Sequence, residues 1–417
     1  MPNQVLIVGG GVIGLSAAWY CTQRGLRVTL VERRGAARDG CSFGNAGMIC
    51  PSHFVPLAAP GMVALGLKWM WNPKSPFYIK PRLDADLLSW GFKFWRASNA
   101  RQVERAAPLL RDFSLASRAA FEAIAARPGV DFGLVKRGLI MLCKTSHAFD
   151  DEARLAERAR ALGIPAEVLD ARQTAALDPG VTMDVVGSVH FPRDCHLTPD
   201  RFLATLQAEA QQAGATFLWD TEVTGWRTSG GRIDALLTSR GELTADDYVL
   251  CGGSWSPVVA RDLGLRLPMQ AGKGYSLTLP QPRQLPGLCA ILTEARVAVT
   301  PMGSALRFGG TMEIAGLNED INPVRVRGIA EAAPRYYPEF RVEDFEGIQP
   351  WRGLRPVSPD GLPYLGRTSR LKNLIVATGH AMLGLSLGPA TGQLVAQLAV
   401  GEKPAINLGL LDPERYG

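Results

Sequence analysis

Glycines at positions 9, 11 and 14 carry the first chemistry legible in this chain, because their spacing suits a pyrophosphate. They follow the apolar run Val5-Leu6-Ile7-Val8 and precede Leu15-Ser16-Ala17-Ala18-Trp19-Tyr20, which reads as a helix. Gly9 permits a tight turn, Gly11 clears a side chain from the path of a phosphate, and Gly14 lets helix and strand pack closely. Val12 and Ile13 complete the turn. Beyond them the helix N-terminus offers free N–H groups and a dipole that favours negative charge. A second apolar strand, Arg27 to Val31, ends at Glu32, about 20 residues on, where an acid accepts ribose hydroxyls. Arg33 follows at once.

Other small-residue junctions must come to the same place. Ser42, Asn45, Ala46, Gly47 and Met48 sit in a polar, glycine-rich stretch whose free amides and short side chains could line a cofactor. Asp247 to Cys251 reads as a strand running into Gly252-Gly253-Ser254-Trp255, what a nucleotide-binding sheet presents at the carboxyl ends of its strands. Leu374 to Thr378 repeats the pattern into Gly379-His380 and Leu383-Gly384-Leu385, with a last helix opening at Leu387 and ending near Gly401. Between these segments lie a long helical pattern over 100–127, a buried strand over 138–143, a charged helix from Asp151 to Leu162, and strands around Lys273 to Ser276, Val297 to Pro301 and Leu306 to Gly310.

The elements that must position these residues therefore divide into two lobes. The fold class expected is α/β: a Rossmann-like domain assembled from residues 1–52, 196–262 and 345–417, and a second α+β domain on an antiparallel sheet from 53–195 and 263–344. A chain of 417 residues with 47% hydrophobic and 20% charged residues has ample material for both. Seven dispersed cysteines without a CxxC argue against a disulfide framework and predict no metal centre. The net charge of +6 comes from scattered arginines, not a block that would bind nucleic acid. No uninterrupted apolar run reaches the roughly 20 residues needed to span a bilayer. Residues 54 to 98 are unusual: Trp69, Trp71, Trp90, Phe92, Phe94 and Trp95 alternate with Lys68, Lys93 and Arg96. Such a mixture either covers the cofactor and the second core or meets a bilayer interface.

Six motifs in order resemble the D-amino-acid oxidase and glycine oxidase group of FAD enzymes, including the bacterial D-amino-acid dehydrogenases and D-hydroxyproline dehydrogenases. They are Gly9-x-Gly11-x-x-Gly14, Ser42 to Met48, Ala58-Ala59-Pro60-Gly61, Lys273-Gly274-Tyr275-Ser276, Gly353-Leu354-Arg355-Pro356 with Pro359-Asp360-Gly361, and Thr378-Gly379-His380 with Gly384. The resemblance implies an FAD domain and a smaller domain whose sheet roofs the flavin. It makes Arg355 the substrate carboxylate anchor and places Tyr275 on a strand that reaches substrate. Gly379, His380, Leu383, Gly384 and Leu385 would face the flavin ring, with His380 positional first and a catalytic base second, and Val223 would meet adenine. His53 stands where the dehydrogenases carry tyrosine, so the substrate side chain is expected to differ. No cysteine follows residue 352, which predicts noncovalent FAD.

The expected reaction is hydride transfer from the Cα of a D-amino acid or cyclic secondary amino acid, giving an imine, with D-proline or 4-hydroxy-D-proline favoured. The alternatives are a glycine- or sarcosine-type oxidase and a noncatalytic FAD-binding subunit. Expected partners are the amino-acid substrate and an electron acceptor (quinone, carrier or O2), without nucleic acid. The expected location is cytoplasmic, with peripheral contact on the inner face of the membrane compatible with the aromatic–basic stretch.

Overall fold

The computed structural model describes residues 3–37, 39–70, 72 and 74–417; Trp71 of the aromatic–basic stretch lies outside them. Six strands form the first sheet, in the order Tyr364–Arg367, Leu374–Thr378, Asp247–Leu250, Gln4–Val8, Arg27–Val31 and Thr216–Leu218. All run parallel except Tyr364–Arg367. Central parallel strands are covered on both faces, which is why Gln4–Val8 and Leu374–Thr378 read as nearly unbroken apolar runs. On one face lie the first helix, Val12–Gln23, and the last, Gly384–Ala399. They meet at Gly392, where a β-carbon would stand 2.6 Å from the Ser16 carbonyl oxygen. The long helix Ala100–Ala125 packs against the last helix, and Ser117 accepts a hydrogen bond from the Ala390 amide. On the other face an antiparallel sheet, Val223–Ser229, Arg232–Thr238 and Gly241–Leu243, packs Ile233 and Leu236 against Leu6 and Tyr248.

The second sheet has nine strands, with Gln270–Leu279 and Ala305–Ile314 as its longest members. Helix Pro323–Tyr336 covers one of its faces through Ile329, Ala333 and Tyr336. The sequence pattern predicts an antiparallel sheet, but the sheet is mixed. Cys289–Leu292 pairs in parallel with Leu139–Cys143, and Phe77–Ile79 in parallel with the end of Ala305–Ile314. Both partners arrive from distant segments rather than by hairpins, so no turn dictates their direction.

Strand Trp351–Val357 departs from the expected domain boundary. The pattern assigns it to the cofactor domain, yet it hydrogen-bonds as the edge of the second sheet, Gly353 opposite Gly274 and Arg355 opposite Gly272. The predicted helix from Asp151 begins earlier, at Ser146, because the Thr145 hydroxyl caps it by accepting from the Ala148 amide. The last helix likewise begins at Gly384, three residues before the predicted start.

Candidate active site

The strand ends, the helix N-termini and the edge of the second sheet converge on one cleft. At its dinucleotide end, Gly9 has φ +109° and abuts the end of the neighbouring strand, so a β-carbon would lie 2.6 Å from the Cys251 carbonyl oxygen. A β-carbon on Gly14 would lie 1.9 Å from the Gly9 carbonyl oxygen. At Gly11 the first atom met would be Ser42 Oγ, at 3.5 Å, so the space above this turn stays open. Gly11 caps the first helix without any side chain, and the Val12 amide donates to Ser42 Oγ at 3.1 Å. Uncapped N–H groups beside an open cradle are what a pyrophosphate requires.

Glu32 accepts from the amides of Gly10 (2.7 Å) and Arg34 (2.9 Å), which fixes its carboxylate at the rim with lone pairs to spare for ribose hydroxyls. The Arg33 guanidinium stacks over Trp255, 3.9 Å from the ring centroid. Val223, Gly252 and Trp255 line this end with Ile13 and Arg33. Three separated segments thus supply one pocket wall.

At the far end the cleft reaches His380, Gly384 and Leu385, where the last helix starts with no side-chain cap. Gly379 takes φ +77° to turn the chain there, and Leu383 caps the helix. Thr391 spends its hydroxyl proton on the Leu387 carbonyl, so Nε2 of His380 donates to Thr391 Oγ1. Nδ1 is then the unprotonated nitrogen, and among the described residues it has no partner. Burial lowers the pKa of this imidazole to about 3, so it is neutral at working pH. It can accept a hydrogen bond from a bound group and position it; storing a proton is outside its range.

Asn45 lines the cleft, while Ala46, Gly47 and Met48 run beneath the second sheet. Ala46 faces Gly309, Gly47 packs on the Leu197 carbonyl with φ +75°, and Met48 pairs with His196. Open glycine cradle, uncapped helix ends and an orphaned imidazole nitrogen together fit a flavin dinucleotide.

Arg355 lines the cleft from strand Trp351–Val357. Its Nη1 donates to the Thr311 carbonyl oxygen at 2.6 Å. Burial lowers its pKa, the nearby Cys41 acts in the opposite direction, and among the described residues it forms no ion pair. A partly buried guanidinium without a counter-charge is a ready anion site.

Tyr275 requires a correction. A β-carbon on Gly274 would meet the Arg355 guanidinium at 2.3 Å, so the Gly274 face of strand Gln270–Leu279 looks into the site. Tyr275, one residue on, points to the opposite face by strand alternation. It is 1% exposed among Leu277, Ile329 and Tyr336, donating to Glu313 Oε2 (2.8 Å) and accepting from the Asn322 amide (3.2 Å). It belongs to a core.

The structure does not bring His53 to the cleft lining either. Its Nδ1 meets Ser52 Oγ at 3.1 Å, and Ser52 bonds through both its amide and hydroxyl to the fully buried Asp194. Burial lowers the His53 pKa to about 4 and raises that of Asp194 to about 7. Cys50, His53 and Asp194 bring their ligand-type atoms within 4.8 Å of one another, with Ser52 bonded to both His53 and Asp194.

Sequence reasoning missed Thr311, whose carbonyl orients Arg355. Thr311 sits at a register shift between the two longest strands with φ +64°, a strained conformation for a β-branched residue. No local signal announces such a bulge. It also missed the charged residues Asp39, Arg352 and Glu319 of the cleft lining.

A largely parallel sheet with a glycine cradle at the switch between strands has the form of a dinucleotide-binding protein. The family model for FAD dependent oxidoreductases (DAO) matches residues 4–398, and the chain belongs to that family. It is 34% identical to a D-amino acid dehydrogenase of Agrobacterium fabrum over 99% of both chains. A second relative, a D-amino acid dehydrogenase of Paramagnetospirillum magneticum, is 33% identical over 99% of both. Among solved structures, glycine oxidase from Geobacillus kaustophilus is similar with a TM-score of 0.78 and 26% identity, covering 99% of each chain. The protein is thus an FAD-dependent enzyme.

Proposed function

We propose that this enzyme oxidises a D-amino acid, and that a cyclic secondary amine such as D-proline or 4-hydroxy-D-proline is its preferred substrate. The observation that carries the reading is Arg355: a partly buried guanidinium in the cleft with no carboxylate of its own. Its planar fork matches a substrate carboxylate and fixes orientation as well as position. Thr311 holds one nitrogen of that fork, leaving the rest of the guanidinium for substrate.

FAD, when bound, supplies the acceptor for a hydride leaving the substrate Cα. The chain's residues would do the positioning. The first helix and Ser42 would hold the pyrophosphate, Glu32 the ribose, and Arg33, Val223 and Trp255 the adenine end. The uncapped start of the last helix, with Gly384 and Leu385, would stabilise negative charge at the pyrimidine end. His380, neutral, would accept a hydrogen bond and would not take up a proton. The cleft holds no Ser/His/Asp arrangement among the described residues, so catalysis would rest on orientation and electrostatics. FAD would be held noncovalently.

The D-amino acid dehydrogenase relatives support this substrate class. The glycine oxidase likeness supports a second reading, a small unbranched amine. Anaerobic addition of D-proline, 4-hydroxy-D-proline, D-alanine, glycine and sarcosine to the yellow protein separates them. Bleaching of the flavin band by a D-substrate and not its L-form is expected. Bleaching by glycine or sarcosine alone would replace the first reading with the second, and no response to any would sink both.

A peripheral membrane contact is proposed on a separate observation. Helix Ala85–Ala97 exposes Leu88, Phe92 and Trp95 beside Lys93 and Arg96, and the preceding Leu83 is fully exposed. Such a face suits an anionic bilayer surface and delivery of electrons to a quinone. No helix among the described residues is long and apolar enough to cross a membrane. Flotation with anionic and with neutral vesicles tests this; equal absence from both fractions would refute it.

A further inference from the structure

Among the charged side chains that line the cleft without a place in the chemistry above are Arg34, Asp39, Glu319 and Arg352. They form a closed ring of alternating charge. Arg34 donates to Asp39 through Nη1 and to both Glu319 oxygens through Nη2, at 2.5 and 2.7 Å. Arg352 donates to the other Asp39 oxygen, and its Nη2 lies 3.8 Å from Glu319 Oε1. Burial pushes the Asp39 carboxyl upward, but the Arg352 bond and the charges of Arg34 and Arg352 outweigh it and hold it below its ordinary value.

The ring joins parts of the molecule that have no covalent reason to meet. Arg34 and Asp39 follow the second strand of the first sheet, while Arg352 lies on the edge strand of the second sheet. Glu319 belongs to the segment after Ala305–Ile314. The ring therefore bridges the cleft between its two ends, since Arg34 is two residues from Glu32 and Arg352 is three residues from Arg355. Two neutral or buried contacts run beside the ring. The buried Lys273 reaches from strand Gln270–Leu279 to Asn318 Oδ1 (2.7 Å) and the Asp320 carbonyl (2.6 Å), holding the segment that carries Glu319. Trp351 Nε1, on the strand that carries Arg352, donates to the Asp39 carbonyl at 3.0 Å and so crosses the gap beside the ring.

We propose that Arg34, Asp39, Glu319 and Arg352 form a latch across the bound dinucleotide, and that opening it limits the release of FAD. This rests on FAD occupying the cleft. The side chains are 23–48% exposed, so each pair alone would contribute little, but linked in a ring they support one another. Exposure at that level also makes the latch sensitive to salt, because the pairs are within reach of screening ions.

The test is the rate at which bound radiolabelled FAD exchanges with excess unlabelled FAD, measured on the holoenzyme at low and high ionic strength. Glu319→Gln is expected to speed exchange about fivefold at roughly 0.05 M salt, with the gap closing toward unity near 1 M. Asp39→Asn is expected to do the same, and the double variant to exchange faster than either single one, because the Arg34–Glu319 and Asp39–Arg352 links cross the cleft in parallel. Exchange within twofold of the parent in both single variants would overturn the latch, as would an acceleration that salt leaves unchanged. Failure of the parent to bind FAD at all would instead overturn the assignment of the cleft. Glu319→Asp, which keeps the charge, is expected to restore part of the parent's slow exchange; no recovery would also count against the latch.

Discussion

The two ends of the cleft are built by different rules. The dinucleotide end depends on positions where a side chain is absent: Gly9, Gly11 and Gly14 act through the space they leave. The proposed substrate end turns on a side chain that is present, Arg355, which forms no ion pair among the described residues and is held by the strained Thr311. Local backbone geometry fixes the first. Pairing between strands far apart in sequence fixes the second, since Gln270–Leu279 lies between Ala305–Ile314 and Trp351–Val357. An error of one residue at the first end would break the fold, and at the second it would invert what faces the substrate.

Replacing Arg355 gives the largest expected effect on this contrast. Arg355→Ala should lower kcat/KM roughly 100- to 1000-fold, the scale of losing one partner of a desolvated charge pair, with flavin content intact. Arg355→Lys should recover a small part, because an ammonium lacks the planar fork. Steady-state kinetics on flavin-loaded enzyme reads both. If Arg355→Ala keeps parental KM, the substrate end has been misassigned.

Gly14→Ala should act through the fold. A β-carbon at 1.9 Å from the Gly9 carbonyl forces strand and helix apart, with a stability loss above about 3 kcal/mol and FAD binding lost with it. Denaturant melting and flavin absorbance would show the two falling together; a stable apo-variant would mean the cradle relaxes more easily than its geometry implies.

Acid should act on the far end of the cleft through His380 and on the interior beside it through His53 and His196. Folded-state pKa values fall from 6.5 to about 3 for His380 and to about 4 for His53 and His196, all from burial. The unfolded chain binds these protons first, so their contribution is complete above about pH 6.5 and fades as pH falls toward 3. Asp194 has the opposite sign: its pKa is raised to about 7, so its contribution is present below its unfolded value of 3.8 and lost as pH rises through 7. Melting temperature should therefore drop between pH 6.5 and 4, and His196→Asn, if it folds, should flatten that drop. A parent curve level across this range would contradict the burial of the three imidazoles.

Tyr275→Phe gives the smallest effect and the sharpest comparison. It should leave KM unchanged and cost about 1 kcal/mol of stability, because Glu313 and the Asn322 amide lose a partner. A KM rise of tenfold or more would return Tyr275 to the substrate face.

The residues show why legibility was uneven. The turn from Gly9 to Gly14 is legible because its neighbours in sequence are its neighbours in space, and Glu32 is legible because strand pairing brings it back to Gly10 at a fixed spacing. The junctions at Gly252 and Gly384 were readable for the first of these reasons, each a strand running into a turn. Arg355 came through the resemblance of its motif. Tyr275 was misread because its facing depends on the register of Gln270–Leu279 against Trp351–Val357, which no local pattern states. The bulge at Thr311 and the parallel pairing of Cys289–Leu292 are likewise products of long-range pairing. His53 looked like a substrate contact by position, but its hydrogen bonds run toward Ser52 and Asp194.

The strand order of the first sheet also sets a timetable for biosynthesis. Gln4–Val8 leaves the ribosome early, but its neighbour Asp247–Leu250 and the outer pair Tyr364–Arg367 and Leu374–Thr378 come hundreds of residues later. At roughly 5–20 residues per second, the first strand waits on the order of 20–70 s for its sheet to close. For roughly the first 12–50 s of it, until Asp247–Leu250 emerges, one edge of Gln4–Val8 stays unpaired and apolar, the state most open to aggregation. The nascent chain should therefore lean on chaperones until its final helix emerges, and slowing translation late in the message should lower its soluble yield.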